Sequence, residues 1–182
     1  MKATAAKGEP VIVLLVEDDP AHAEIVRRNF VNSSLVNRPV RLEHVVDGQE
    51  ALDYLFHRAE FQDPNKAPRP NLILLDLRLP RVDGLEVLKT VKSDADLANI
   101  PVVILTTSAA EADMINAYDN HANSYLVKPM DFAQFHKLME ALGFYWLVWN
   151  QRSNPCGDAE EYLGNKPEKR THSRSINQPP KK

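Results

Sequence analysis

The sequence predicts an α/β fold: a doubly wound, five-stranded parallel sheet with five helices. Two observations carry this. Five short apolar runs, each too short for a typical helix, alternate along the chain with five segments of helical periodicity. The run at 11–16, and residues 72–75 and 102–105 within the third and fourth, are apolar throughout rather than at every second position, as expected of strands covered on both faces. Right-handed crossovers between parallel strands then impose the doubly wound topology.

The first run, Val11-Ile-Val-Leu-Leu-Val16, is rich in β-branched residues and ends in acids, Glu17-Asp18-Asp19. Asp19-Pro20 supplies a helix cap followed by proline at the first helical position, so a helix is expected from Ala21 to Phe30. Val40 to Val46 is strand-like. Asp47-Gly48 turns the chain into a second helix, with Ala51, Leu52, Leu55 and Phe56 at helical spacing, running to about Arg58. From Ala59 to Pro70 periodicity is lost and Pro64, Pro68 and Pro70 accumulate, which predicts an extended connection. Asn71 to Asp76 is the third strand, Leu85 to Val91 a helix, Val102 to Thr106 a strand introduced by Pro101, and Ala109 to Tyr118 a helix. Ser124 to Val127 is the last strand. Asp131 caps a final helix whose Phe135, Leu138, Met139, Leu142 and Trp146 share one face.

These elements place one domain at residues 10–150, between a flexible N-terminus, 1–9, and a disordered tail, 151–182. The net charge of −3 conceals an asymmetry: residues 151–182 hold seven Lys/Arg against four Asp/Glu, leaving 15 against 21 in the rest. The weakly basic tail reads as a solvated end, and nucleic acid is not an expected partner. No stretch reaches the roughly 18 apolar residues that suggest a membrane span, and residues 1–9 lack the apolar segment of a signal peptide, so neither a membrane nor export is expected. Cys156 is the only cysteine, which excludes an intrachain disulfide and a cysteine metal cage and agrees with the cytoplasm.

In open parallel sheets the functional crevice lies beyond the C-terminal strand ends. Here those ends carry Glu17-Asp18-Asp19, Asp76, Thr106-Thr107 and Lys128-Pro129. Carboxylates gathered at one edge repel one another, and a hard divalent cation with oxygen ligands relieves that repulsion. A lysine ammonium and a hydroxyl opposite it complete a clamp for a phosphoryl group. Asp76 is placed to be the nucleophile, since a carboxylate is already ionised at neutral pH and needs no general base. Asp19 is set aside as a helix cap, and His22, His44, His57, His121, His136 and His172 are read as structural, each within a helix, strand or tail.

Taken in order, Leu15-Val-Glu-Asp-Asp19, Leu75-Asp-Leu-Arg-Leu-Pro80 with Asp83-Gly84, Val103-Ile-Leu-Thr106 and Tyr125-Leu-Val-Lys-Pro129 resemble the receiver domain of two-component response regulators, over about residues 10–145. The resemblance implies a flavodoxin-like receiver fold with Asp76 as phosphoacceptor. It implies Mg²⁺ held by Glu17, Asp18, Asp76 and the backbone carbonyl of Arg78, with Lys128 as the phosphoryl-binding lysine. Thr106 would be the switch hydroxyl and Tyr125 the switch aromatic, and the Lys128-Pro129 bond would be cis. Glu17 stands where an aspartate is common, a change of one methylene in reach.

By the same resemblance the partner is a histidine kinase, and the readout surface is that of the fourth helix, fifth strand and fifth helix. The run Phe144-Tyr-Trp-Leu-Val-Trp149 is hydrophobic all round its helix, which predicts a homodimer through that surface and the aromatic end. With the long connection at 59–70, it resembles the receivers that serve phytochrome kinases. A phosphorelay shuttle to a histidine phosphotransfer domain fits the same residues. A Mg²⁺-dependent aspartyl phosphatase fits poorly, because its second acid would stand where this chain has Arg78. A transcription factor would need a recognition helix after the receiver, and the Pro- and Gly-bearing tail offers no such pattern. The chain is expected to be a phosphoacceptor rather than an enzyme.

Overall fold

The computed structural model describes residues 10–31 and 39–146. Its elements are β1 (Val11–Val16), α1 (Pro20–Val31), β2 (Val40–Val45), α2 (Gly48–Leu55), β3 (Leu72–Leu75), α3 (Gly84–Ser93), β4 (Val102–Thr106), α4 (Glu111–Asp119), β5 (Ser124–Val127) and α5 (Phe132–Phe144). All strands pair in parallel, in the order β2-β1-β3-β4-β5. Winding reverses between β1 and β3, so the crevice opens where those two strands end.

The apolar runs have a direct cause in coverage. Every residue of β3 and β4 is buried, whereas the edge strands β2 and β5 are only partly covered. One face of the sheet packs Val13, Leu15, Leu74 and Val103 against Val26, Phe30, Phe135 and Met139 from α1 and α5. The other packs Leu14, Ile73 and Ile104 against Leu55, Leu88, Val91 and Ala117 from α2, α3 and α4. Burying a Leu, Ile or Phe side chain is worth about 1.5–3 kcal/mol, so these two layers hold the strand ends in register.

The starts of α1, α2 and α5 follow their caps. Asp19 Oδ1 accepts from the Ala21 N–H at 2.7 Å, Asp47 Oδ1 from Glu50 N–H at 2.8 Å and Asp131 Oδ1 from Gln134 N–H at 2.9 Å. The ends follow less obviously. α2 stops at Leu55 rather than near Arg58, because His57 and Ala59 take left-handed backbone conformations, with φ of 53° and 47°. The connection that follows is not wholly extended: Ala59–Phe61 forms a one-turn 3-10 helix. It is tied to the body by the Tyr54 hydroxyl, which donates to Pro68 O at 2.9 Å, and by Arg69, which donates to Leu55 O at 2.8 Å. α4 begins at Glu111, two residues later than Ala109.

Trp146 packs partly buried beside α1 and α5 while Tyr145 is exposed. The expectations for residues 1–9, for 147–149 of the aromatic run and for the tail 151–182 lie outside the described residues. No helix among the described residues is long and apolar enough to cross a membrane.

Candidate functional site

β1, β3 and β5 each deliver their chemistry one step beyond the last paired residue, while Thr106 is the last paired residue of β4. The Glu17 N–H bonds Val45 O at 3.1 Å and the Asp76 N–H bonds Val16 O at 3.0 Å, so the sheet ladder itself fixes where both carboxylates emerge. The Lys128 N–H bonds Thr106 O at 2.7 Å in the same way. A glycine is required opposite: a Cβ on Gly84 would lie 2.1 Å from Asp76 O and 2.7 Å from Leu77 Cα. Without it the β3–α3 loop could not fold back against the Asp76 carbonyl.

At the centre, Lys128 Nζ donates to Asp76 Oδ2 at 2.6 Å and to Glu17 Oε2 at 2.5 Å, with all three side chains buried. The Lys128–Pro129 bond is trans, contrary to the cis form expected; there is no cis peptide among the described residues. Trans is the ordinary preference of such bonds, by about 0.5–1 kcal/mol, and the long lysine stem still reaches both acids.

Glu17, Asp18 and Asp76 each offer a carboxylate oxygen, all within 4.8 Å of one another, and Asp18 is exposed. Three carboxylates against one ammonium leave the cluster with two negative charges in excess. Burial pushes the Glu17 carboxyl above the usual carboxylate range; Lys128 opposes that shift, and Asp76 adds to it. Hard oxygen donors, excess negative charge and an exposed acid at the mouth fit a divalent cation.

The remaining expected residues form a second group. Thr106 is fully buried, and its Oγ1 accepts from the Ser108 N–H at 3.3 Å. The Tyr125 hydroxyl donates to Ser108 O at 3.0 Å, and its ring packs, partly buried, against the core layer that holds Ile104 and Ala117. Burial raises the Tyr125 phenol. Arg78 divides its allegiance: its N–H donates to Asp76 Oδ1 at 3.1 Å, while its guanidinium leaves the site to meet Asp113 Oδ2 at 2.6 Å. The structure therefore brings Glu17, Asp18, Asp76 and Lys128 together, and joins Thr106 to Tyr125 through Ser108.

Two histidines read as structural stand closer to the chemistry than expected. His22 Nδ1 lies 3.3 Å from Glu17 Oε1 and 3.5 Å from Lys128 Nζ, because Pro20 starts α1 so soon after the strand that its first turn overhangs the site. His44 Nε2 donates to Glu17 O at 2.9 Å from the neighbouring strand. His57 and His121 lie in turns rather than inside elements. The Arg81–Asp47 ion pair, which ties the β3–α3 loop to the cap of α2, was also not foreseen. Spacing gives no signal for it, since 34 residues separate the partners.

Residues 13–140 match the response regulator receiver domain family. The chain is 44% identical over 148 residues to the probable methanogenesis regulatory protein FilR2 of Methanothrix harundinacea, covering 81% of this chain and 91% of that one. It is 40% identical over 138 residues to the response regulator Rcp1 of Synechocystis, covering 76% and 90%. Among solved structures, the phosphorylated cyanobacterial phytochrome response regulator RcpA superposes with a TM-score of 0.73 at 38% identity, covering 78% of this chain and 97% of that one. The Mn²⁺-bound form of Rcp1 superposes at 0.72 with 37% identity, covering 80% and 100%. With the strand order, the strand-end acids and the buried lysine in place, the chain belongs to the response regulator receiver family.

Proposed function

We propose that this protein is a phosphoswitch of the cytoplasm that takes a phosphoryl group from the phosphohistidine of a histidine kinase onto Asp76, with Mg²⁺ as its cation. The observation that carries the reading is the buried Lys128 ammonium, 2.6 Å from Asp76 Oδ2, beside the Glu17 and Asp18 carboxylates. Glu17, Asp18, Asp76 and the Arg78 carbonyl would hold the cation, which when bound supplies positive charge to the oxygens of the transferring group. An Asp76 oxygen attacks phosphorus in line; the O–P bond forms as the P–N bond breaks, and its electron pair returns to the kinase imidazole. Lys128 transfers its hydrogen bonds from the two carboxylates to a phosphoryl oxygen, so its charge stays matched throughout.

The new group offers acceptors to the Thr106 hydroxyl. Drawing Thr106 inward shifts the β4–α4 loop, and Tyr125 turns into the vacated space, a shift between two populations. The readout is the α4–β5–α5 surface, where Met114, Ile115, Tyr118 and Val127 are exposed, and it serves as the face for a second copy. Hydrolysis of the acyl phosphate, with Arg78 and Thr107 at its flank, resets the switch; the protein is an acceptor that assists its own modification rather than a turnover enzyme. The likeness to RcpA and Rcp1 supports a kinase of phytochrome type.

The test is to incubate the protein with acetyl phosphate and Mg²⁺ and record its intact mass beside Asp76→Asn and EDTA controls. A gain of one phosphoryl group that needs both Asp76 and Mg²⁺ is expected. No gain in folded protein with Mg²⁺ present would remove the phosphoacceptor role from Asp76.

A further inference from the structure

The first turn of α4 is joined to the phosphorylation site by a chain of polar contacts that the proposed transfer does not use. Asp113 Oδ2 receives the Arg78 guanidinium at 2.6 Å and the Ser108 hydroxyl at 2.5 Å. Ser108 is the junction. Its N–H donates to Thr106 Oγ1 at 3.3 Å, its carbonyl accepts the Tyr125 hydroxyl at 3.0 Å, and its Oγ accepts the Ala110 N–H at 3.3 Å. At the other end, the Arg78 N–H sits 3.1 Å from Asp76 Oδ1. One carboxylate thus connects the loop after the nucleophile to the loop that carries the switch hydroxyl and anchors the switch aromatic.

α4 has little else to hold that loop in place. Its cap position is Ala110, which makes no side-chain capping bond, and Ala117 is its one buried residue. Met114, Ile115 and Tyr118 face outward. A helix anchored so lightly is free to move with the segment that leads into it.

Resting on the phosphoswitch reading above, we propose that Asp113 is a positioning residue: by gripping Arg78 and Ser108 it latches the β4–α4 loop, and with it Tyr125, in the unphosphorylated arrangement. A phosphoryl group on Asp76 undoes the latch from both ends. Its negative charge competes with Asp113 for the Arg78 guanidinium, and its oxygens draw the Thr106 hydroxyl away from Ser108. The latch therefore sets how much of the population occupies the switched arrangement before phosphorylation, and so how readily a small donor is accepted.

The test uses the full chain. Labelling by acetyl phosphate with Mg²⁺ is timed by intact mass, and hydrogen exchange across residues 106–113 is measured on unphosphorylated protein. Asp113→Asn should raise the labelling rate about three- to tenfold, the scale of one partly exposed ion pair with a charge-assisted hydroxyl bond. It should also speed exchange in the loop. Ser108→Ala, which keeps every charge, should move both readouts the same way by a smaller factor. Glu111→Gln removes the other acid from the same helical turn and should change neither.

Unchanged loop exchange in Asp113→Asn would overturn the latch even if labelling quickened, because Asp113 would then act only as a repelling charge. Equal effects from Glu111→Gln would overturn it too, assigning them to the helix end. If wild-type protein took no label, the phosphoacceptor reading would fall, while the exchange measurements would still decide whether Asp113 restrains the loop.

Discussion

Lys128→Met replaces the site's buried cation with an apolar side chain of similar length, and the consequence can be worked from the site's charges. In the native site one ammonium serves two buried carboxylates, Glu17 and Asp76. Breaking a buried pair by removing one partner costs about 3–5 kcal/mol, since the remaining charge stays desolvated. Protonation caps that penalty. Taking up a proton at pH 7 costs a glutamate of ordinary pKa, about 4.3, roughly 3.5 kcal/mol, and burial already pushes Glu17 in that direction. The variant should therefore lose about 3 kcal/mol at pH 7 without metal.

The sign of the pH dependence follows. A carboxyl whose pKa is raised on folding binds more protons folded than unfolded, so stability falls as pH rises from the unfolded value through the folded one. Between pH 7 and pH 5.5 the cost of protonation drops by about 2 kcal/mol, and most of the variant's deficit should vanish with it. Mg²⁺ at pH 7 should recover a similar amount: at a hundred times its Kd a ligand of the folded state adds about 2.7 kcal/mol. Urea unfolding of wild type and variant at both pH values, with and without Mg²⁺, reads all three effects. A variant as stable as wild type at pH 7, or one whose deficit ignored pH and Mg²⁺ alike, would refute the reasoning, because the carboxylates would not then depend on the lysine for their charge.

Gly84→Ala puts a Cβ 2.1 Å from Asp76 O, a backbone atom that cannot step aside, so the β3–α3 loop must shift. A loss of at least about 2 kcal/mol in urea is expected, with slower labelling by acetyl phosphate. Asp18→Asn removes an exposed carboxylate from the three-acid group, so calorimetric titration with Mg²⁺ should show affinity down at least about tenfold while stability without metal stays within about 0.5 kcal/mol. A variant that bound Mg²⁺ like wild type would take Asp18 out of the ligand set.

How much of this was legible in the sequence depends on whether a residue's role is decided by its neighbours along the chain or across it. β1, β4 and β5 fall at the expected residues, and for β1 and β4 the cause is a continuous apolar run covered on both faces, which favours a buried strand. Glu17, Asp18, Asp76 and Lys128 meet because polar residues that end such strands have only the crevice to occupy. The end of α2 was not readable, since nothing about His57 or Ala59 announces a left-handed backbone. Nor was the role of His22, which follows from how closely α1 starts behind β1. Ser108 shows the limit best. Ser108-Ala-Ala-Glu111 has the form of a capping box, and local chemistry alone would assign the serine to the helix backbone. In the structure the helix starts from Ala110 with no side-chain cap, and the hydroxyl goes to Asp113, whose other partner, Arg78, stands 35 residues away in sequence. The Ser108 Oγ still accepts the Ala110 N–H at 3.3 Å, so the serine serves the helix entrance and the long-range contact at once, and only the first of these is written in its neighbours along the chain.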